Sequence, residues 1–186
     1  LEDGAQVERF NEVKDKINIV SPNWYRLDES GELIDKASND LLLPSHSDSL
    51  VVFPLINNWS NEENGEPRFI IHQILSDKQK TEKAKQEIIK LIGEKKFSGI
   101  CLDIEGVSPS DRELFSDFIK DLSYRMHQNH SILALAVPAK KDDQGSDWSA
   151  AYDYGLLGNY ADLFIIMAYN EHSGDSQAGP IASLPW

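Results

Sequence analysis

Cysteine is nearly absent: Cys101 stands alone in 186 residues, which excludes an internal disulfide and leaves the redox compartment open. Basic residues are scarce too, 18 against 31 acidic, and the formal charge of −13 at pH 7 argues against a phosphate-binding surface, since nucleic-acid binders usually carry a basic patch or stripe. Neutral sugars stay compatible with such a surface. Long apolar runs are missing: LFIIMA from Leu163 is among the longest, far below the roughly 18 residues of a membrane-spanning helix. The sequence contains no P-loop and no G-x-S-x-G elbow. His46, His72, His127, His130 and His172 show no metal-ligand spacing.

What is present is a chain with 40% hydrophobic residues, enough for one core, read as a single domain over residues 1–186. Val7, Phe10, Val13 and Ile17 space a helix over Leu1 to Lys16. Ile17 to Val20 reads as a short buried strand, with Trp24 just past its end. Turn chemistry at Asp28 opens a polar, irregular stretch to Ser49, whose weak helical signal lies at Lys36 to Leu43. Leu50 to Ile56 is the apolar run of a parallel strand covered on both faces, and Trp59 follows at its tip. Asn61 to Arg68 reads as a solvated loop.

Ala84, Ile88, Leu91 and Ile92 stripe one face of a helix over Lys78 to Lys95, whose Lys-rich outer face is expected in solvent. Ser110 and Glu113 suggest a capping box for the next helix, buried through Phe115, Phe118, Ile119 and Leu122. Ile132 to Val137 and Leu163 to Ala168 complete a set of five strands, with a short helix over Asp153 to Asn159. Helix and strand alternate, which predicts α/β architecture, with parallel strands adjacent in sequence order and helices outside.

The chemistry concentrates in Phe97 to Val107, FSGICLDIEGV. Ile100, Leu102 and Ile104 alternate with Gly99, Cys101, Asp103 and Glu105, so a strand here sends the aliphatic set to one face and both carboxylates to the other. Carboxylates about 6 to 7 Å apart on one face repel, and proton retention by one of them prepares a general acid. Cys101 reads as a small buried hydrophobe, because nearby carboxylates raise a thiol's pKa.

This stretch resembles the signature of glycoside hydrolase family 18, D-G-x-D-x-D-x-E, aligned from Ser98 to Glu105. INIVSPNWYRLDESGEL from Ile17, VVFPLINNW from Val51, ALAVPAK from Ala134 and IIMAYNEHSGDSQAGPIASLPW from Ile165 resemble the branch of spore-cortex glucosaminidases and related polysaccharide-processing fusion domains. The resemblance covers nearly the whole chain. It implies a partial TIM (β/α)8 barrel: strands two to six of a fold of about 250 residues, without its first, seventh and eighth strands. The chain is therefore expected to be part of a longer polypeptide, with other domains as possible partners, or to have its edges covered by another copy.

By the same resemblance Glu105 protonates the glycosidic oxygen, Asp103 orients the substrate's acetamido group, and Tyr169 donates its hydroxyl to the acetamido carbonyl. The family is a substrate-assisted exception among glycosidases, with no enzyme nucleophile. The implied partner is a GlcNAc-containing polysaccharide in an extracellular or cell-surface setting, with no cofactor. Met167 would line the cleft, with Asn170, Trp24, Trp59 and His172 as further substrate-binding candidates. Ser98 and Cys101 replace the first two motif carboxylates, and Asn170 replaces the Asp after the tyrosine. Two function classes stay open: a hydrolase, favoured by Asp103, Glu105 and Tyr169, and a glycan-binding module that keeps the cleft without turnover.

Overall fold

A computed structural model of the chain describes residues 4–37, 50–61, 67–140, 148–169, 171–172 and 176–184. Helix α1 (Gly4–Val13) leads into β1 (Ile19–Val20) and β2 (Asn23–Leu27). The strand expected at 17–20 thus resumes as a second segment, and Trp24 lies inside it rather than past its end. Asp28 Oδ1 then accepts from the N–H groups of Ser30 at 2.8 Å and Glu32 at 2.9 Å, closing a turn. Gly31 sits in this turn at φ +77°, with a hypothetical Cβ only 2.4 Å from the Lys80 carbonyl, so only glycine fits. The turn delivers β3 (Leu33–Asp35), an antiparallel edge strand in a stretch expected to be irregular. Most of the weak helix expected at Lys36 to Leu43 lies outside the described residues.

The apolar run from Leu50 also forms two segments, β4 (Val51–Val52) and β5 (Leu55–Asn57). Both interruptions contain a proline, Pro22 and Pro54, which has no N–H to give to a ladder. Their carbonyls still serve: Leu55 N donates to Pro22 O at 2.8 Å and Cys101 N to Pro54 O at 3.0 Å. The loop expected at Asn61 to Arg68 is in part a hairpin, β6 (Trp59–Asn61) against β7 (Pro67–Phe69). Its tip, 62–66, lies outside the described residues.

Short helix α2 (Ile71–Leu75) precedes α3 (Lys78–Lys95), capped where Asp77 accepts from Gln79 N at 2.8 Å and Lys80 N at 3.3 Å. The central strand β8 (Gly99–Asp103) follows. At its start a Cβ on Gly99 would stand 2.2 Å from the Ile132 carbonyl, so the glycine permits close strand packing. Helix α4 (Arg112–Gln128) is preceded by a single 3-10 turn in which Ser108 accepts from Ser110 N. Ser108 caps that turn, and α4 itself starts from Asp111 with no side-chain cap in place of the expected Ser110 capping box. Then come β9 (Ile132–Pro138), a 3-10 turn at Trp148–Ala151, α5 (Tyr154–Leu157) and β10 (Leu163–Met167).

The main sheet runs β10-β9-β8-β5-β2-β3, parallel throughout except for β3, as sequence order predicts. β1 and β4 pair in parallel as a separate short ladder. Ile100, Leu102, Ile104, Leu133, Leu135 and Val137 pack the outer face against the helices through Ile88, Phe115, Phe118 and Ile119. The opposite face holds a small cluster of Phe53, Cys101, Ala134 and Ala136, joined by Val51, Leu55 and Met167. Not all of the Lys-rich face of α3 is solvated: Lys85 is buried and pairs with Asp121 of α4. β10 ends the sheet with an unpaired edge among the described residues, leaving Leu163, Ile165 and Ile166 exposed. No helix among the described residues is long and apolar enough to cross a membrane.

Candidate active site

Parallel register stacks the inner-face side chains in layers. Leu55, Cys101, Ala134 and Leu163 align across β5, β8, β9 and β10 as the first layer. Two residues on, Asn57 is opposite Asp103, and Ala136 is opposite Ile165. Continued by two more, the same period brings Trp59 level with Glu105 and reaches the pair Pro138 and Met167. The layers of Asp103 and Glu105 lie toward the C-terminal ends of the parallel strands, where α/β folds place their ligands.

The electrostatics tie four of these side chains together. Burial, and then the charge of Glu105, push the Asp103 carboxyl up to about 6. Among the described residues its buried Oδ1 has no hydrogen-bond partner. Burial also raises Glu105, opposed by a hydrogen bond with the Trp59 side chain, whose indole N–H is the donor. Glu105 is the less buried of the two carboxylates. Tyr169, two residues beyond β10, is raised by burial and by the charges of Asp103 and Glu105, so its hydroxyl feels both. The structure therefore groups Asp103, Glu105, Tyr169 and Trp59, while Met167 is half-buried against the inner cluster one layer below Tyr169.

Four further positions stand apart from this group. Trp24 is buried in the core that faces the helices, its ring 6.4 Å from that of Phe97, and the structure does not bring it to the carboxylates. β2 extends through it, so the residue that looked like a strand tip became a core residue. His172 sets its ring against Gly179, and no interaction among the described residues links it to Asp103 or Glu105. Asn170 lies outside the described residues. Cys101 is buried between Leu55 and Ala134, its thiol pushed up to about 11 by burial and by Asp103, with a hydrogen bond to Ser21 opposing. It is a packing residue in protonated form.

Sequence reasoning missed two residues that hold the site's backbone. Asn58, fully buried, donates to Glu105 O at 2.8 Å and accepts from Glu105 N at 2.9 Å. Tyr152, also fully buried, donates its hydroxyl to Ile104 O. The paired asparagines at the end of β5 were the available signal for Asn58; Tyr152, just past a distant 3-10 turn, had none. Among the described residues no cluster of three His, Cys, Asp or Glu could hold a metal ion. A groove of about 840 Å³ between α3 and α4 is lined by Leu75, Phe118 and Tyr124 on the outer layer and includes none of the groups above.

Comparison with known proteins places these features in a family context. The profile of glycosyl hydrolases family 18 matches residues 4–185. The uncharacterized glycosylase YvbX of Bacillus subtilis is 27% identical over 99% of this chain and 54% of its own length. The crystal structure of the putative sporulation-specific glycosylase YdhD from Bacillus subtilis superposes with a TM-score of 0.81 at 28% identity, over 90% of this chain and 55% of that one. A chitinase from Chromobacterium violaceum gives 0.83 at 25% identity, over 100% of this chain and 59% of that one. The chain spans about half the length of the curated relatives it matches, with 54% and 42% of the first two covered.

Proposed function

The chain belongs to glycosyl hydrolases family 18, and from that premise we propose that it carries the catalytic cleft of a hydrolase that cuts GlcNAc-containing polysaccharide by substrate-assisted catalysis. The observation that carries this reading is the unpartnered Oδ1 of Asp103, buried beside Glu105 with the Tyr169 hydroxyl in reach of both charges. A buried oxygen without a partner is costly unless a ligand supplies one. The N–H of a C2 acetamido group is such a donor, and its carbonyl then accepts from Tyr169.

In the reaction so inferred, Glu105 gives its proton to the glycosidic oxygen as the bond to the anomeric carbon breaks, and the acetamido carbonyl oxygen bonds to that carbon from the opposite face. Asp103, ionised as this happens, offsets the positive charge on the resulting oxazolinium ring. Water then attacks the same carbon, returning its proton to Glu105. A raised Glu105 suits the first step, since the acid must hold its proton near neutral pH.

Residues 1–186 would act as one domain, closed into a barrel by strands pairing with the bare edge of β10 and accompanied by other domains of a longer polypeptide. The setting is extracellular or at the cell surface, where such polymers lie. A specific observation favours a second reading, a glycan-binding module without turnover: Cys101, buried and protonated, occupies a motif carboxylate's slot and offers only weak hydrogen bonding to Asp103.

The experiment is product release from GlcNAc oligomers by the chain and by Glu105→Gln, with oligomer binding measured alongside by calorimetry. Turnover that disappears in Glu105→Gln while binding persists supports the hydrolase, since a positioned acid contributes about 10²- to 10⁴-fold. Turnover unchanged in the variant removes Glu105 from the mechanism. Binding without turnover in both proteins assigns the cleft to the module.

A further inference from the structure

We infer that Asn58 and Trp59 are positioning residues for the acid, Asn58 fixing the backbone of Glu105 and Trp59 its carboxylate. The inference deepens the hydrolase reading above and rests on it for the role of Glu105.

The last ladder pair between β5 and β8 is Asn57 with Asp103, and beyond it the main chains no longer pair. Glu105 stands two residues further, just before Gly106 turns the chain at φ +71°. Left there, its peptide groups would lack the strand partner that fixes every residue below. Asn58 supplies it with a side chain: its amide accepts from Glu105 N at 2.9 Å and donates to Glu105 O at 2.8 Å, the two bonds a neighbouring strand would make. On the other side Tyr152 donates to Ile104 O, so the peptide joining Ile104 to Glu105 is held from both flanks. Asn58 is fully buried, and both ends of its amide are spent on this one residue.

Trp59 follows from the same register. Asn58 points away from the inner face, so the next residue points into it, level with Glu105, and its indole N–H donates to the carboxylate. An indole N–H donates and never accepts. It therefore bonds the carboxyl oxygen that does not carry the proton and leaves the protonated oxygen aimed into the cleft. The β6–β7 hairpin that begins at Trp59 sets the height of that donor. Trp59 thus orients the acid through a hydrogen bond, a task distinct from stacking on a sugar ring.

The test uses the whole chain and reads Glu105 directly. With glutamate labelled by ¹³C at the carboxyl carbon and the Glu105 signal assigned through Glu105→Gln, its titration is followed in the native chain and in Trp59→Phe, which keeps an aromatic face but lacks the N–H. Losing a hydrogen bond to the charged form is expected to raise the midpoint by about one pH unit. kcat should fall with KM little changed. An unchanged midpoint, or a rise in KM alone, makes Trp59 a sugar platform and overturns its part of the proposal.

For Asn58, amide exchange at Glu105 in Asn58→Ala should accelerate about tenfold or more beyond any change at core Leu133, and kcat should fall about 10²-fold, the scale of a small misplacement of a reacting group. Exchange at both amides rising in step makes Asn58 merely structural. The native chain gives a readout that needs no variant: the side-chain amide protons of Asn58 should exchange at least about tenfold more slowly than those of exposed Asn11, and equal rates overturn the clamp. Absence of hydrolysis in the native chain sinks the functional reading alone, because titration and exchange still decide whether Asn58 and Trp59 hold Glu105.

Discussion

Asn57 stands directly opposite Asp103 in the parallel ladder, yet its side-chain amide donates to Asn23 at 2.8 Å. One of the two N–H groups of the neighbour best placed to satisfy the aspartate is thereby spent on Asn23. Asp103 keeps a buried oxygen without a partner among the described residues and a carboxyl at about 6. That arrangement stores a cost in the free protein which a ligand donor relieves, and it fixes the sign of several measurable effects.

The first concerns stability against pH. Folding raises the Asp103 carboxyl from 3.8 to about 6, so the folded chain holds a proton that the unfolded chain has released. Stability therefore falls as pH rises from about 4 to about 6 and stays lowered above that, by up to about 3 kcal/mol from this group. Asp103→Asn removes the dependence. In urea titrations the variant should gain on the parent at pH 7.5 and lose that advantage by about pH 4; the same difference at both values would contradict the assignment.

A second expectation is chemical silence at Cys101. Its thiol is raised to about 11 and packed among Phe53, Ala134 and Ala136, so at pH 8 only about one molecule in a thousand carries thiolate. Ellman's reagent should leave the native chain unmodified for hours and titrate one thiol in denaturant. Rapid reaction of the native chain would show that the inner face is open at this depth.

The third lies on the helical layer. Arg125 of α4 bonds Glu82 of α3 through two nitrogens, at 2.7 and 2.8 Å, and also reaches Asp121 at 3.0 Å. Glu82 is lowered to about 2, chiefly by Arg125, so this contribution is present above about pH 4.5 and is lost as pH falls toward 2. The pair is part-exposed and screened, and Arg125→Met should cost about 1 kcal/mol in low salt and less in 1 M salt. A loss independent of salt would assign the effect to packing of the Arg125 stem.

How much of this was legible in the sequence depended on the range of the signal. The period of two in Phe97 to Val107 correctly put Asp103 and Glu105 on one face, because alternation is a property of a single strand. Alternating helices and strands gave the parallel order for the same local reason. The break at Pro54 shows where that reading runs out: the apolar run from Leu50 to Ile56 looked continuous, and the missing N–H group divides it. Trp24 appeared to lie past a strand end because the β2–β3 hairpin has no strong alternation, and its burial is decided by Phe97, distant in the chain. Asn58 and Tyr152 act through contacts 47 and 48 residues away, which no local pattern encodes.

The last prediction concerns Tyr169. It is 62% exposed and follows an edge strand, so its ring contributes little to the core. Its hydroxyl nevertheless senses the charges of both carboxylates. If it donates to the acetamido carbonyl, Tyr169→Phe removes one donor to an oxygen whose charge changes in the transition state, and kcat on GlcNAc oligomers should drop about 10²-fold. Folding stability should change by less than about 0.5 kcal/mol, as for exposed sites without a packing role. Binding separates this role from a generic one: the variant should weaken affinity for GlcNAc oligomers, which carry the acetyl carbonyl, and leave affinity for glucosamine oligomers unchanged. Equal weakening for both would make Tyr169 a contact to the sugar ring, and no weakening for either would remove it from the site.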